Sequence, residues 1–276
     1  MTESPPTMRS GRLALLLVFL AWLLQPRAAG AQAAPAADRP FLFSVSTPRS
    51  DTRQASVFVD TGVGERSFDL VQGEEPEHRI GLQASLGHRL TLVARVGVSD
   101  SRTGVRASQQ GELLYSVLHA PGRQASLAVG LGVRHEAQGV NVLLGRVAAG
   151  RGLGEWRLDG NALFEKPYAA ERDAVDLITT FGVARRVAPA VHVGVELIGE
   201  DLEGFWEEEE AEGGARVLVG PSIRVAPPSA RWQVSVAGGP VFHATRSTIR
   251  SDAPRSLPDG GGRDGYAIRC GVLYGF

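Results

Sequence analysis

The fold is decided by the last eleven residues of the chain, Tyr266-Ala-Ile-Arg-Cys-Gly-Val-Leu-Tyr-Gly-Phe276. One face of this run carries Tyr266, Ile268, Cys270, Val272, Tyr274 and Phe276. A period of two is typical of a β-strand whose two faces meet different surroundings. The run therefore predicts a C-terminal strand that ends on an aromatic residue.

The same alternation recurs along the chain, with one apolar face and one face of small or charged residues, and it predicts an all-β protein. Val193 and Val195, for example, alternate with His192, Gly194 and Glu196. Twelve such segments are predicted, at about residues 53–61, 77–86, 90–99, 107–119, 124–136, 140–149, 155–165, 173–186, 190–199, 213–225, 231–245 and 266–276. A count of ten strands would also fit.

Short and long connections take turns between these segments. Turn-rich links such as 87–89, 120–123 and 150–154 alternate mostly with longer polar links such as 62–76 and 246–264. An even strand count returns the chain to the side on which it began, so all short turns fall on one side of a barrel. Residues 41–46 could form a thirteenth strand, but we assign them to a periplasmic lead-in of residues 34–52, which preserves the parity.

The first 33 residues are predicted to be a cleaved export signal. Arg9 and Arg12 precede an apolar run at residues 13–24, and Ala31 and Ala33 form an Ala-x-Ala cleavage site. Twelve apolar residues are too few for a spanning helix, which needs about 20. The predicted organisation is a signal peptide at residues 1–33, the lead-in at 34–52 and a barrel at 53–276.

Composition excludes several classes of protein. A single cysteine cannot close an internal disulfide, and a net charge of -1 with scattered basic residues gives no footprint for nucleic acid. The nucleotide-binding, metal-protease and nucleophile-elbow motifs are absent from the sequence. We therefore expect no cofactor, no metal site and no nucleic-acid partner.

The export signal, the sorted loops and the aromatic C-terminal strand together resemble Gram-negative outer-membrane β-barrel proteins, at the level of the class. The resemblance covers the whole mature chain. It implies an antiparallel up-and-down transmembrane barrel in the bacterial outer membrane. It also implies contact with lipopolysaccharide and other outer-membrane lipid, and recognition of the last strand by the barrel-assembly machinery.

Aromatic residues are placed where such a barrel would meet the two membrane interfaces. Trp156 and Trp232 begin strands, and Phe164 and Phe242 follow eight and ten residues later on the same face. That spacing projects to roughly 19 to 25 Å along the axis of a tilted barrel, near the height of the apolar band. The predicted interface aromatics are Trp156, Phe164, Trp232, Phe242, Tyr266, Tyr274 and Phe276.

The opposite face would line the interior. Its predicted pore-lining residues are Arg95, Arg134, Arg146, Arg157, Arg216, Arg224, Arg269, Glu112, Glu136, Asp159, Asp176, Glu196 and His192. An excess of arginine favours a narrow channel for small solutes with a preference for anions. The alternative is a structural or surface-interaction barrel whose interior is plugged by paired charges.

Two further features allow other interpretations. Residues 200–212 carry eight acids and no base, which is typical of a solvated acidic loop and could attract divalent cations. Some twelve-stranded outer-membrane barrels are lipid hydrolases, and His119 is the one histidine predicted within a strand on the outward face. A phospholipase-like activity is therefore a second alternative, whereas Cys270 is interpreted as a small apolar residue rather than a nucleophile.

Overall fold

The computed structural model describes residues 39–46, 54–65, 70–71, 75–101, 104–119, 125–136, 139–168, 176–202, 215–243 and 265–276. The predicted export signal, most of the acidic segment 200–212 and the predicted loop 246–264 lie outside these ranges. No helix in the described part of the chain is long and apolar enough to cross a membrane.

Twelve antiparallel strands form one closed barrel, which confirms the predicted fold class. The strands are β1 Ala55–Gly64, β2 Glu77–Gly87, β3 Leu90–Ser101, β4 Gly104–His119, β5 Ala125–His135, β6 Asn141–Leu153, β7 Trp156–Pro167, β8 Asp176–Ala188, β9 Val191–Glu200, β10 Arg216–Val225, β11 Trp232–His243 and β12 Gly265–Gly275. Each strand pairs with its neighbours in sequence, and β1 pairs with β12 from Ser56↔Gly275 to Gly64↔Ala267. Closure leaves no unpaired sheet edge.

The predicted turn at residues 150–154 is mostly strand. Strand β6 continues to Leu153, and only Gly154 and Glu155 form the turn to β7. Gly150 occupies an inward position, where a Cβ atom would lie 2.5 Å from an Asp159 carboxylate oxygen. A glycine here leaves room for a charged neighbour inside the barrel, whereas the local sequence pattern of glycines is typical of a turn.

The predicted strands at 90–99 and 107–119 leave a link of residues 100–106 between them, and the observed link is shorter. Ser101 pairs with Gly104, so β3 and β4 continue as a hairpin almost to their connection. At the other end of the barrel, His88 and Arg89 join β2 to β3 with φ angles of 50° and 65°. Two consecutive left-handed residues give a tight hairpin turn whose twist matches that of the strands.

Candidate functional site: the barrel interior

The two faces of the wall differ in chemistry along most strands. Buried positions carry charged and small polar residues, and the alternate, exposed positions carry large apolar residues. Leu131 is 70% exposed and Tyr266 is 72% exposed, whereas the buried charged side chains are at most 8% exposed. The distribution is the reverse of that expected for a water-soluble protein.

The predicted pore-lining residues share the inward face of the barrel. Ten of them are buried: Arg134, Arg146, Arg157, Arg216, Arg224, Arg269, Glu112, Asp159, Asp176 and Glu196. Arg95, Glu136 and His192 have the same inward parity and are half-buried. The predicted residues therefore lie on the inward face. Their role in lining an open pore stays a prediction.

Ion pairs join these inward charges, in two cases between strands that are separated by one intervening strand. The guanidinium of Arg146 donates to Glu112 through Nε at 2.6 Å and Nη2 at 3.0 Å. The guanidinium of Arg134 donates to Glu165 and, at 2.8 Å, to Glu136. Such pairing is what allows charged groups to be buried, because an unpaired buried charge costs several kcal/mol.

The predicted excess of arginine is not found. Among the described residues, eight arginines and eight carboxylates are buried. The arginines are Arg39, Arg79, Arg134, Arg146, Arg157, Arg216, Arg224 and Arg269, and the acids are Asp60, Glu77, Glu112, Asp159, Glu165, Asp176, Glu196 and Glu200. The predicted set lacks five of these wall residues, although each follows the inward parity of its strand: Asp60, Glu77, Arg79, Glu165 and Glu200.

Residues 39–46, Arg-Pro-Phe-Leu-Phe-Ser-Val-Ser, lie inside the barrel, and we name them the luminal segment. Phe41 is 1% exposed. This position corrects the predicted lead-in of residues 34–52, because residues 39–46 contact inward side chains of the wall instead of lying outside it. The physical reason is that the wall supplies partners for the backbone of the segment.

One end of the luminal segment is held by charge. The Nη1 atom of Arg39 donates to both carboxylate oxygens of Asp60 at 3.0 Å. Arg79 donates to the same carboxylate at 2.7 Å. The guanidinium of Arg39 also lies 4.3 Å from the centroid of the Phe58 ring. Gln233 donates to the carbonyl of Arg39 at 2.5 Å, so this residue contacts both β1 and β11.

The middle of the segment is held through its backbone. The N–H groups of Leu42 and Phe43 both donate to one Glu196 carboxylate oxygen at 2.9 Å. Asn161 accepts from the N–H of Val45 at 3.0 Å and donates to its carbonyl at 3.1 Å. Polar groups of the segment are thereby satisfied without pairing to a strand.

Apolar side chains of the segment pack against the wall. The ring of Phe41 fills the space beside Gly182, where a Cβ atom would lie 2.5 Å from the ring. Val45 clusters with Val93 and Leu114. Phe43 packs against an inward apolar strip on β6 to β12, which consists of Val142, Leu144, Leu163, Ile178, Ile198, Leu218, Val241 and Ala267.

That apolar strip was not predicted, since the inward face was expected to be polar. Its members sit near the end of the barrel that carries the longer connections, two or three residues from the start or end of most strands. Leu70 and Val71, in the connection between β1 and β2, are buried at the same end. The described interior therefore contains the luminal segment, paired charges and an apolar strip.

The outward face carries an apolar band bounded by aromatic residues. All seven predicted interface aromatics are exposed: Trp156, Phe164, Trp232, Phe242, Tyr266, Tyr274 and Phe276. Cys270 is also exposed. Among outward positions of the described strands, Asp, Glu, Lys and Arg occur only near the two ends, as Asp100, Lys166, Arg151 and Arg185. The role of these aromatic residues at a membrane interface stays a prediction.

His119, the residue on which the hydrolase alternative depends, ends β4 and pairs through its backbone with Ser126. Its side chain lies outside the described part of the chain, so that alternative stays a prediction. Among the described residues, no group of three or more His, Cys, Asp or Glu side chains is arranged to hold a metal ion.

Comparison with known proteins identifies the architecture. The chain matches the NanC porin with a TM-score of 0.55 and 8% identity, over 79% of this chain and 98% of that one. It matches the KdgM porin in complex with disordered oligogalacturonate with a TM-score of 0.54 and 10% identity, over 80% and 99%. The chain has the fold of outer-membrane porins. At such identities the likeness of these porins shows the fold alone, and neither a family model nor a curated protein matches the sequence.

Proposed function

We propose that the protein is an outer-membrane channel for small solutes, closed by its luminal segment in the conformation described. Three observations support the proposal: the porin fold, the apolar outward band and the polar inward wall. A band of exposed Val, Leu, Ile and aromatic side chains is stable against acyl chains and unfavourable against water.

The observation that carries the channel proposal is how the luminal segment is held. Twelve strands complete the barrel ladder without it, and the segment forms no strand pair. Its contacts are side-chain hydrogen bonds and apolar packing, for example from Glu196, Asn161 and Gly182. The segment could therefore leave the interior without breaking a ladder hydrogen bond, and its departure would open a passage beside Asp60, Arg79 and Glu196.

The charge balance argues against a strong preference for anions. Departure of the segment would take Arg39 with it, leaving seven buried arginines and eight buried carboxylates in the described wall. Charged linings set selectivity by their net charge and its position. The proposed channel accordingly has weak charge preference, and the anion preference predicted from the sequence is not retained.

A permanently plugged structural barrel is the second candidate. The observation that favours it is the low exposure of the luminal segment, in which every residue except the half-buried Phe43 is buried and Phe41, Leu42 and Val45 are at most 4% exposed. If these contacts never open, the paired charges serve stability and the outer surface carries the function. The two candidates differ only in whether the segment leaves.

A reversible crosslink tests the channel. The hydroxyl oxygens of Ser44 and Thr180 are 2.9 Å apart, so cysteines at both positions are close enough for a disulfide. We expect Ser44→Cys/Thr180→Cys, in a Cys270→Ala background, to show no conductance in planar bilayers when oxidised and to conduct after reduction. The single variant Ser44→Cys in the same background is the matched control, and its conductance should be the same with and without the reductant.

Conductance that is unaffected by the crosslink would show that the segment does not close the passage. A complete lack of conductance in both redox states, and in a variant lacking residues 34–46, would favour the plugged barrel. Membrane fractionation and heat-modifiable migration on gels test the proposed location separately. Protein recovered from the aqueous fraction without detergent would contradict that location.

A further inference from the structure

Two outward arginines flank one tryptophan at the short-turn end of the barrel. Arg151 on β6 pairs with Leu158, and Arg185 on β8 pairs with Trp156, both partners lying on the intervening strand β7. Neighbouring strands are about 4.8 Å apart and a strand rises about 3.3 Å per residue, so the two arginine backbones are roughly 10 Å apart across the sheet and roughly 7 Å apart along it. We name Arg151, Trp156 and Arg185 the Trp156 patch.

The patch is exposed and lies where the apolar band ends. Arg151 and Arg185 are exposed, and Trp156 is flanked by the exposed side chains of Leu153 and Val187. The other outward Asp, Glu, Lys or Arg residues of the described strands, Asp100 and Lys166, are near the opposite end. Arginines beside an apolar band extend toward the interface and keep their charge in a polar layer.

The neighbouring carboxylate is already occupied. Glu155, in the turn next to Trp156, accepts from Arg186 through Nε at 2.5 Å and Nη2 at 2.8 Å. The guanidinium of Arg185 instead lies over the Trp156 ring, 5.6 Å from its centroid. Within the residues described, neither Arg151 nor Arg185 forms an ion pair with a carboxylate. The charge of Arg185 also acts on the nearby Glu155 carboxylate, but Glu155 is one acid beside Arg151, Arg185 and Arg186, so the patch and its neighbours keep a net positive charge.

From this geometry we infer that the Trp156 patch binds the phosphate of an anionic glycerophospholipid in the leaflet at the short-turn end. The inference rests on the proposed membrane location. Arginine recognises phosphate through two parallel hydrogen bonds, and tryptophan prefers the level of the head groups. Leu158 and its partner Val183 lie on the side of Trp156 nearer the middle of the barrel wall, where they would contact the acyl chains beneath the head group.

Native mass spectrometry of the full mature chain in detergent tests the site, with phosphatidylglycerol and phosphatidylcholine as probes. Each arginine near an anionic lipid contributes ~1 kcal/mol, which is about fivefold in affinity. We expect Arg151→Gln/Arg185→Gln to weaken phosphatidylglycerol binding by about 25-fold while leaving phosphatidylcholine binding nearly unchanged. Lys166→Gln, which removes an outward charge at the other end, is the matched control and should bind as the original chain does.

Equal phosphatidylglycerol binding by the double variant would overturn the site, as would an equal loss in Lys166→Gln. Tighter binding of lipid A than of phosphatidylglycerol, lost in the same double variant, would overturn the assignment to a glycerophospholipid. If the double variant fails to fold, the single variants Arg185→Gln and Arg185→Lys provide the comparison. Arg185→Gln should weaken phosphatidylglycerol binding about fivefold, and Arg185→Lys, which keeps the charge, should weaken it less. A protein that floats with vesicles yet lacks this site contradicts the inference alone, whereas a protein that does not float contradicts the proposed location.

Discussion

Strand β7 shows two opposite chemistries on its two faces. Its outward positions are Trp156, Leu158, Gly160, Ala162 and Phe164, and its inward positions are Arg157, Asp159, Asn161, Leu163 and Glu165. The outward face is apolar yet exposed, and the inward face is mostly polar yet buried. In this protein burial therefore does not mean contact with an apolar core: the inward charges are buried by one another and by the luminal segment.

The largest expected effect is the loss of an inward charge. Glu112→Ala should cost about 3–5 kcal/mol of folding free energy, because it leaves the buried guanidinium of Arg146 without its carboxylate. Equilibrium unfolding of the refolded barrel in urea measures the cost. Glu112→Ala/Arg146→Ala removes both charges and should recover part of it. A cost below about 1 kcal/mol would indicate that water solvates the pair as it does a surface pair.

An outward substitution tests the other face. Leu131 is exposed in the middle of β5. An arginine there should be tolerated if the outward face contacts water but not if it contacts acyl chains. In vesicles we expect Leu131→Arg to lose about 2–4 kcal/mol, as for a cation near the bilayer midplane. Leu131→Ala is the control for the lost side-chain volume. Unchanged folding of Leu131→Arg would show that the outward face does not contact acyl chains.

The contact between wall and luminal segment can be changed at Gly182. A valine there would overlap the ring of Phe41, so Gly182→Val should cost about 1–3 kcal/mol and displace the segment. Chymotrypsin cleavage after Phe41 or Phe43 reports the displacement. Gly145→Val is the control, because its nearest neighbour is a Phe164 carbon 3.9 Å from the added Cβ position. Protection from cleavage in Gly182→Val would mean that the segment is not held by this contact.

The smallest effect is expected at an exposed pair in a turn. Hydrogen bonds from Arg186 hold the pKa of Glu155 below its ordinary value, and both side chains are 49% exposed. A carboxyl group whose pKa is lowered on folding stabilises the folded protein at pH values above its unfolded-state pKa. That stabilisation is lost as the pH falls through the folded-state pKa. Unfolding of Glu155→Gln should therefore differ slightly from that of the original chain at neutral pH and coincide with it in acid. A difference in unfolding free energy between Glu155→Gln and the original chain that grows in acid would contradict the prediction.

Much of the fold could be predicted because alternation is a local signal. The twelve predicted strands match the twelve observed, and most ends agree within about three residues. The exception at β6, which ends at Leu153 instead of residue 149, arose because Gly150 and Gly152 were interpreted as turn residues. Their small size serves the interior instead, and only the position of Asp159 across the sheet shows this.

The site was predicted less completely. Parity placed Arg146, Glu112 and the other inward charges correctly on one face, and the same parity could have included Asp60 and Arg79. The same parity also places Leu144, two residues before Arg146, and Leu218, two residues after Arg216, on the inward face. The apolar strip was missed because only polar residues were expected on that face.

The sequence by itself determined the strand number, the two faces of each strand and the aromatic ends of the apolar band, because a period of two depends only on neighbours along the chain. Only the tertiary structure decided that residues 39–46 lie in the interior and that, in the described part of the chain, buried acids equal buried arginines in number. The Leu42 N–H and the Glu196 carboxylate that it contacts are separated by 154 residues. Barrel closure brings such groups together, and no local pattern of residues records that contact.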